Sequence, residues 1–168
     1  MTRKQLMDMI IVCGILLAGA LYFENARADY GPYDFLHPAA IDGDTVRGEV
    51  AIWPGQYINV AVRVAGIDSP EIRSSLACER DAARKAREFT EKWLVANAPV
   101  RVSSITPDKY YGRVVAHVQN RSGALLGGAL LAAGHARAYA GGQRQPWCTD
   151  ATANEKLITQ ELALGGIQ

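Results

Sequence analysis

The chain has 168 residues, a length typical of one domain, and hydrophobic side chains make up 49% of it, which is enough for a packed core. Its formal net charge is only +1 at pH 7. A near-neutral chain generates no global positive field, so this composition excludes a strongly basic protein that holds a polyanion over its whole surface.

Residues 1–28 are predicted to form an export segment. Arg3 and Lys4 precede an apolar run over residues 9–23, and Ala26-Arg27-Ala28 has the small-x-small form of a signal-peptidase site. The run is shorter than the roughly 20 apolar residues of a membrane-spanning helix, which favours cleavage over retention as an anchor. We therefore expect a periplasmic or secreted protein, which touches a membrane only if this segment is uncleaved.

An irregular lead-in over residues 29–38 is expected before a domain over residues 39–168. Alternating apolar residues over 45–52 and again over 57–64 predict two strands of a hairpin around Trp53-Pro54-Gly55-Gln56. The predicted inward face holds Val46, Gly48, Val50 and Ile52 in the first strand and Ile58, Val60, Val62 and Val64 in the second. Arg63 falls on the opposite face, where an arginine is placed to meet a polar partner.

The remaining pattern predicts an α+β fold. A charge-rich amphipathic helix is expected over residues 79–97, followed by strands over 100–105 and 113–119. A short helix over 125–133 and a last helix, which begins at the capping box 152–155, complete about three helices. Periodicity alone leaves open whether the five strands close into a barrel or form a small open sheet.

Two cysteines remain once the export segment is removed. Cys78 and Cys148 are expected to form a disulfide in an oxidising compartment, and the bridge would close a loop worth about 4 kcal/mol in the chain-entropy model. Two unpaired thiols are the alternative. Zinc is disfavoured because neither cysteine has a ligand spacing to the histidines.

Acidic residues cluster at the two ends of the predicted hairpin. Asp42-Gly43-Asp44-Thr45 stands at its start, and Arg63 and Asp68-Ser69-Pro70-Glu71 stand at its end. The hairpin therefore brings Asp44 back towards Arg63, Asp68 and Glu71, which places these three acids and one arginine in one neighbourhood. Carboxylates about 4 Å apart repel by roughly 4 kcal/mol at an effective dielectric near 20, so the cluster favours a bound cation. With oxygen ligands alone, calcium is expected first, and magnesium or manganese second.

These motifs, together with Asp108-Lys109-Tyr110-Tyr111-Gly112-Arg113, resemble the staphylococcal nuclease family over roughly residues 39–166. The resemblance implies an OB-like five-stranded β-barrel with packed helices. It also implies a monomeric, calcium-dependent nuclease that cleaves DNA and RNA with little sequence preference. Three features depart from the family pattern: a longer hairpin, Gly48 at a usually apolar strand position, and one extra residue between Asp108 and Arg113.

By the same resemblance, each motif residue acquires an expected role. Asp44 and Asp68, with the backbone carbonyl of Ser69, would hold the calcium ion, and Asp42 would be a neighbour of that site and not a ligand. Glu71 would act as the general base or position the water. Arg63 and Arg113 would grip the phosphate, because the planar guanidinium matches two phosphate oxygens at once.

Aromatic residues add candidates for a nucleotide pocket. Tyr111 and Tyr139 are expected to offer faces on which bases stack, although a core or surface position is the alternative for each. The other motif residues also have structural alternatives: an ion pair of Arg63 with Asp68, or capping of a turn by Asp42 and Asp44. The competing function is an OB-type module that binds nucleic acid or a partner protein in an envelope or DNA-transfer apparatus without cutting.

Overall fold

The computed structural model describes residues 30–148 together with Arg3, and residues 30–148 form a β-barrel with two packed helices. The elements in chain order are β1 (Tyr33–Asp42), β2 (Thr45–Trp53), β3 (Gln56–Val64), β4 (Ile67–Asp68), α1 (Ala77–Ala96), β5 (Val100–Pro107), β6 (Arg113–Asn120), α2 (Leu126–Ala132) and β7 (Arg137–Ala138). The predicted export segment and the predicted helix that begins at residues 152–155 lie outside the described residues. Among the described residues, no helix combines the length and hydropathy needed to cross a bilayer.

Five strands close the barrel in the order β1-β2-β3-β6-β5. All neighbours are antiparallel except β3 and β6, which run parallel, and β1 closes the barrel against β5. The α+β fold and the OB-like five-stranded barrel expected from the sequence are therefore confirmed. A short pair, β4 with β7, lies beside the barrel and links Asp68 to Arg137.

The first strand corrects one expectation. Residues 33–38 were expected to be irregular, but β1 begins at Tyr33 and pairs with both β2 and β5. Register shifts between Leu36 and Ala39 and between Ala40 and Asp42 break the alternation of β1. A bulged strand with a proline at position 38 does not show the period of two, so its sequence reads as a loop.

The barrel interior is filled mainly by valines. The inward positions of β2 and β3 are buried near the barrel's centre, but Ile52 and Ile58, which were predicted to share that face, are 39% and 49% exposed. Ile58 lies beyond the part of β3 that pairs with β6, and Ile52 lies at a register shift near the hairpin's tip. The fully buried side chains at the centre are Val46, Val62, Val64, Val100, Val102 and Val118.

Helix α1 packs on the barrel with small residues. The helical spacing in the sequence predicts a stripe of Ala82, Ala86, Phe89, Trp93 and Ala96. The buried stripe is Ala83, Ala86, Thr90 and Leu94, so three of its four positions are offset by one residue. The offset allows the Thr90 hydroxyl to donate a 2.7 Å hydrogen bond to the carbonyl of Gly43. The helix is thereby fixed to the turn that precedes β2.

Candidate active site

The turn between β1 and β2 places Asp44 at the mouth of the barrel beside the end of β3. Thr45 pairs with Arg63 across the hairpin, and the Val64 amide donates to the Asp44 carbonyl at 2.8 Å. Gly43 allows this close packing, because a Cβ there would lie 2.7 Å from the Cβ of Ala86 and 3.0 Å from the side chain of Ser69. Any larger residue would push the turn away from α1.

Arg63 joins the two buried aspartates. Its guanidinium contacts the carboxylate of Asp44 at 3.1 Å and that of Asp68 at 3.2 Å. Asp44 and Asp68 are only 2% and 5% exposed, so a single cation lies between two desolvated anions. The clustering of Asp44, Arg63 and Asp68 expected from the hairpin is thus present in the fold.

Burial dominates the electrostatics of Asp44. Loss of solvent raises the pKa of Asp44 above its usual value of 3.8, although the Arg63 charge and hydrogen bonds from the Ser69 amide and the Thr45 hydroxyl act in the opposite direction. Asp44 and Asp68 share Arg63, and Arg144 also contacts Asp68, but Asp42 and Glu71 lie in the same neighbourhood, so four carboxylates face these two arginines. The site therefore retains negative charge that a further cation would offset.

The donor set fits a hard cation held by two carboxylates. No three acidic, histidine or cysteine side chains within residues 30–148 converge into a ready-made metal site. Asp44 and Asp68 could supply two oxygen ligands, and calcium takes 6–8, of which backbone carbonyls and waters are normal members. Within the described part of the chain, the buried hydroxyl of Ser69 has no hydrogen-bond partner, and the Ser69 amide bonds to Asp44, so an unsatisfied oxygen lies near this carboxylate.

Asp42 and Glu71 lie beside this cluster without entering it. Asp42 is half-buried and accepts a 3.4 Å hydrogen bond from the Ile72 amide. Burial, followed by the charge of Glu71, raises the pKa of Asp42 above 3.8, so the two carboxylates share one neighbourhood. Glu79, in the first turn of α1, holds the intervening loop by accepting hydrogen bonds from the Glu71 amide at 3.2 Å and the Ser74 hydroxyl at 2.6 Å.

Arg113 enters the same region from the start of β6. It donates to Asp108 at 2.7 Å and stacks over the Tyr110 ring at 4.6 Å from its centroid. Burial of Asp108 acts to raise its pKa, but the hydrogen bonds from Arg113 and from the Tyr110 amide outweigh it and the pKa is lowered. Asp108 therefore stays ionised and orients the guanidinium of Arg113.

A cavity of about 820 Å³ connects these groups. It is lined by four basic side chains, two acidic side chains and two tyrosines, which are Arg63, Lys109, Arg113, Arg144, Glu71, Asp108, Tyr110 and Tyr139. Tyr139 is fixed there because its amide donates to the Gly66 carbonyl and its hydroxyl to the Gly142 carbonyl. The cavity thus combines basic hydrogen-bond donors, which can bind a phosphate, with the aromatic faces of two tyrosines.

The expectation for Tyr111 is corrected. Its side chain is fully exposed and does not line this cavity, whereas Tyr110 does. The extra residue between Asp108 and Arg113 shifts the tyrosine that faces the arginine by one position. The Tyr-Tyr pair in the sequence offered two choices, and the contact with Arg113 decides between them.

Two residues of the site were not singled out from the sequence. Arg144 pairs with Asp68 at 2.5 Å and with Glu71, and the indole N–H of Trp147 donates to Asp68 at 3.3 Å. Cys148 follows them and forms the expected disulfide with Cys78. The sequence signal that could have found Arg144 and Trp147 is this predicted disulfide. Cys78 lies in the first turn of α1, next to the loop that carries Glu71, so a bond from Cys148 to Cys78 brings the residues before Cys148 close to that loop.

This chain matches a protein-family model. The family model described as staphylococcal nuclease homologue covers residues 61–163, a range that includes Arg63, Asp68, Glu71 and Arg113. Comparison with curated proteins yields no match. The barrel and the family model agree, and this chain belongs to the staphylococcal nuclease homologue family.

Proposed function

We propose that the protein is an exported, calcium-dependent nuclease that hydrolyses phosphodiester bonds of DNA and RNA with low sequence specificity and acts as a monomer. One observation carries the proposal: Arg63 bridges two buried aspartates at the edge of a cavity that it shares with Glu71 and Arg113. Export is supported by the sequence of residues 1–28 and by the disulfide, since such bonds persist in oxidising compartments.

In the proposed reaction, Asp44, Asp68 and the Ser69 carbonyl would hold the calcium ion. When bound, calcium supplies positive charge that offsets the negative charge growing on the phosphate. Asp42 would remain beside the site, where its charge adds to the negative potential that attracts the cation. Burial of Asp44 and Asp68 strengthens the attraction for the cation, because water screens their charges poorly.

Glu71 is the proposed base. It is partly exposed at the cavity, whereas Asp44 and Asp68 are buried, so of these three carboxylates it is the one that a water molecule in the cavity can reach. In this step the water oxygen attacks phosphorus, its proton passes to Glu71, the bond to the leaving oxygen breaks, and that oxygen takes a proton from solvent water to become the product hydroxyl. The short loop after Pro70 is stiff, and its bond to Glu79 keeps Glu71 in place.

Arg63 and Arg113 are the proposed phosphate ligands. Each reaches the cavity and each is pre-oriented by an acid, Arg63 by Asp44 and Asp68 and Arg113 by Asp108. A guanidinium that is already oriented loses little side-chain entropy when a phosphate arrives. Tyr110 and Tyr139 would offer stacking surfaces for the flanking bases.

A second candidate is an OB-type module that binds nucleic acid or a partner protein without cutting. The charge balance favours it, because residues 29–168 contain 15 basic and 15 acidic side chains and so lack the positive field typical of proteins that act on polyanions. The presence of every acid and arginine of the motif favours the nuclease.

Cleavage of end-labelled single-stranded DNA and RNA by the full chain separates the two functions. We expect both substrates to be cut in calcium and neither to be cut in a chelator, because the carboxylates alone repel the phosphate. Tight binding in calcium without any cutting would contradict the nuclease and support the binding module.

A further inference from the structure

Arg144 reaches the cavity from a segment that the proposed catalytic motifs do not include. Its guanidinium contacts the carboxylate of Asp68 at 2.5 Å and that of Glu71, 73 residues away in the chain. These two carboxylates raise the pKa of Arg144 even though burial acts to lower it. Its side chain is still 37% exposed, so it faces solvent in the cavity as well as the acids.

Residues 141–147, named here the tethered segment, are held at several points around Arg144. Cys148 bonds to Cys78 just beyond its end, and Trp147 donates to Asp68 at 3.3 Å. Arg137 of β7 lies over the Trp147 ring at 4.0 Å from its centroid and donates to the Pro146 carbonyl at 3.1 Å. Tyr139 holds Gly142 at the other end with a 2.6 Å hydrogen bond. Together these contacts hold Arg144 at the cavity.

The partners of Arg144 are groups that the proposed reaction uses. Asp68 would hold the cation and Glu71 would take a proton from water, so neither carboxylate is free for Arg144 when substrate is bound. Because the tethered segment keeps the guanidinium inside the cavity, the oxygens of an incoming phosphate are the available replacement. Guanidinium and phosphate pair through two parallel hydrogen bonds, which a water molecule cannot reproduce.

We propose that Arg144 is a third phosphate-binding arginine, which exchanges Asp68 and Glu71 for a backbone phosphate of the nucleic acid. The inference rests on the proposed function for its substrate class. It assigns the tethered segment a role in substrate binding. It also explains how residues 29–168, which carry no formal net charge, hold a polyanion: three arginines, Arg63, Arg113 and Arg144, line one cavity.

Equilibrium binding of a short fluorescein-labelled single-stranded DNA with a cleavage-resistant phosphorothioate backbone, measured in calcium with the full chain, tests this role. We expect Arg144→Ala to weaken binding about 10-fold or more, the loss of one charge-assisted pair, and Arg144→Lys to recover part of it. The slope of log K against log salt should fall by about 0.7, since one phosphate contact on a single strand is lost. Arg84→Ala is the matched control, because Arg84 is an exposed arginine on α1 that pairs with Asp81 outside the cavity.

Steady-state cleavage in calcium adds a second measurement. Arg144→Ala should raise KM with a smaller change in kcat, because the residue binds substrate and does not transfer the proton. Faster cutting or tighter DNA binding by Arg144→Ala would overturn the proposal and make Arg144 a blocker of the two acids. Circular dichroism checks that each variant is folded, and Arg144→Gln replaces Arg144→Ala if the smaller side chain disturbs the segment.

The outcomes separate this inference from the nuclease itself. Cutting by the wild-type chain with a KM that Arg144→Ala leaves unchanged would overturn the role of Arg144 and leave the nuclease intact. Binding that Arg144→Ala weakens, without any cutting by the wild-type chain, would support Arg144 and contradict the nuclease. A wild-type chain that neither binds nor cuts nucleic acid overturns both.

The disulfide gives an independent check on the tether. Reduction should weaken DNA binding by the wild-type chain, because Arg144 is then no longer held in the cavity, and should have little further effect on Arg144→Ala. This non-additivity is the signature of two groups acting through one contact. Equal effects of reduction on both proteins would contradict the tethering role.

Discussion

Asp42 and Asp108 carry the same carboxyl group in surroundings that shift its pKa in opposite directions. Asp42 is half-buried near Glu71 and Asp44, and desolvation with like charges raises its pKa above 3.8. Asp108 is hydrogen-bonded to Arg113 and to backbone amides, and its pKa is lowered. The ionised carboxylate is thus disfavoured at Asp42 and favoured at Asp108. The first arrangement suits a carboxylate that attracts a cation, and the second suits one that orients the guanidinium of Arg113.

These shifts predict stability changes of opposite sign. In chelator at pH 7, Asp42→Asn should raise the free energy of unfolding, because the folded state no longer holds a disfavoured charge. That penalty develops as pH rises from 3.8 through the raised pKa, so the variant and the wild-type chain should converge below pH 3.8.

Asp108→Asn is the matched substitution. It should lower the free energy of unfolding at pH 7, because the stabilising charge is present above pH 3.8 and is lost as pH falls through the lowered pKa. Urea unfolding at a series of pH values measures both variants. Changes of the same sign at pH 7 would contradict this account of the two carboxyl groups.

Strand β2 shows a departure from the family pattern that packing explains. Gly48 is buried, and a Cβ at that position would lie 2.7 Å from the Phe35 ring and 2.8 Å from the Leu36 carbonyl. The ring of Phe35, from the neighbouring strand β1, therefore fills the space that a side chain at position 48 would take. The loss of an apolar side chain in β2 is compensated by an aromatic one across the ladder.

Two Gly→Ala substitutions of opposite effect test this packing. Gly48→Ala should destabilise the fold by about 1–3 kcal/mol, because ring and backbone must move to admit the methyl group. Gly128→Ala in α2, where a Cβ meets nothing within 4 Å, should stabilise it by up to about 1 kcal/mol through helix propensity. Chemical unfolding measures both, and a neutral Gly48→Ala would show that Phe35 does not occupy this space.

At the scale of elements, the sequence predicts the strands whose apolar residues alternate and the helices whose apolar residues recur at helical spacing. The hairpin, α1 and the approach of Asp44 to Arg63 follow from local patterns, and the structure contains them. The bulged β1 hides its period, so its first residues could not be recognised as a strand. The choice between Tyr110 and Tyr111 depends on how the loop turns before Arg113, which no periodicity in the sequence records.

At the scale of the whole molecule, the disulfide between Cys78 and Cys148 joins two parts of the chain that are 70 residues apart. It joins the first turn of α1 to the chain that follows β7, so β5, β6 and α2 lie within the loop. Its loss should lower the free energy of unfolding by up to about 4 kcal/mol, because the unfolded chain regains loop entropy.

Thermal and urea unfolding with and without reductant measure this contribution. The matched control is the Cys78→Ser, Cys148→Ser double variant, whose stability reductant should leave unchanged. A change of less than about 0.5 kcal/mol in the wild-type chain would show that packing alone holds the C-terminal part in place.

The contacts of Arg144 and Trp147 belong to this scale and could not be predicted from the sequence. Arg144 meets Glu71 across 73 residues and Trp147 meets Asp68 across 79, and neither lies in a periodic segment. The acids and Arg63 could be predicted because one hairpin joins them. Only the three-dimensional path of the chain brings the tethered segment back to them.

Cleavage by Glu71→Gln tests the proposed nuclease most directly. Glutamine keeps the shape of the side chain but cannot take the proton, so the single-turnover rate in calcium should fall by about 100-fold or more while DNA binding is retained. Glu91→Gln, on the exposed face of α1, is the matched control and should cut at the wild-type rate. Cutting by Glu71→Gln within about threefold of the wild-type rate, well below the 10²–10⁴-fold of general base catalysis, would contradict the proposed chemistry of this site.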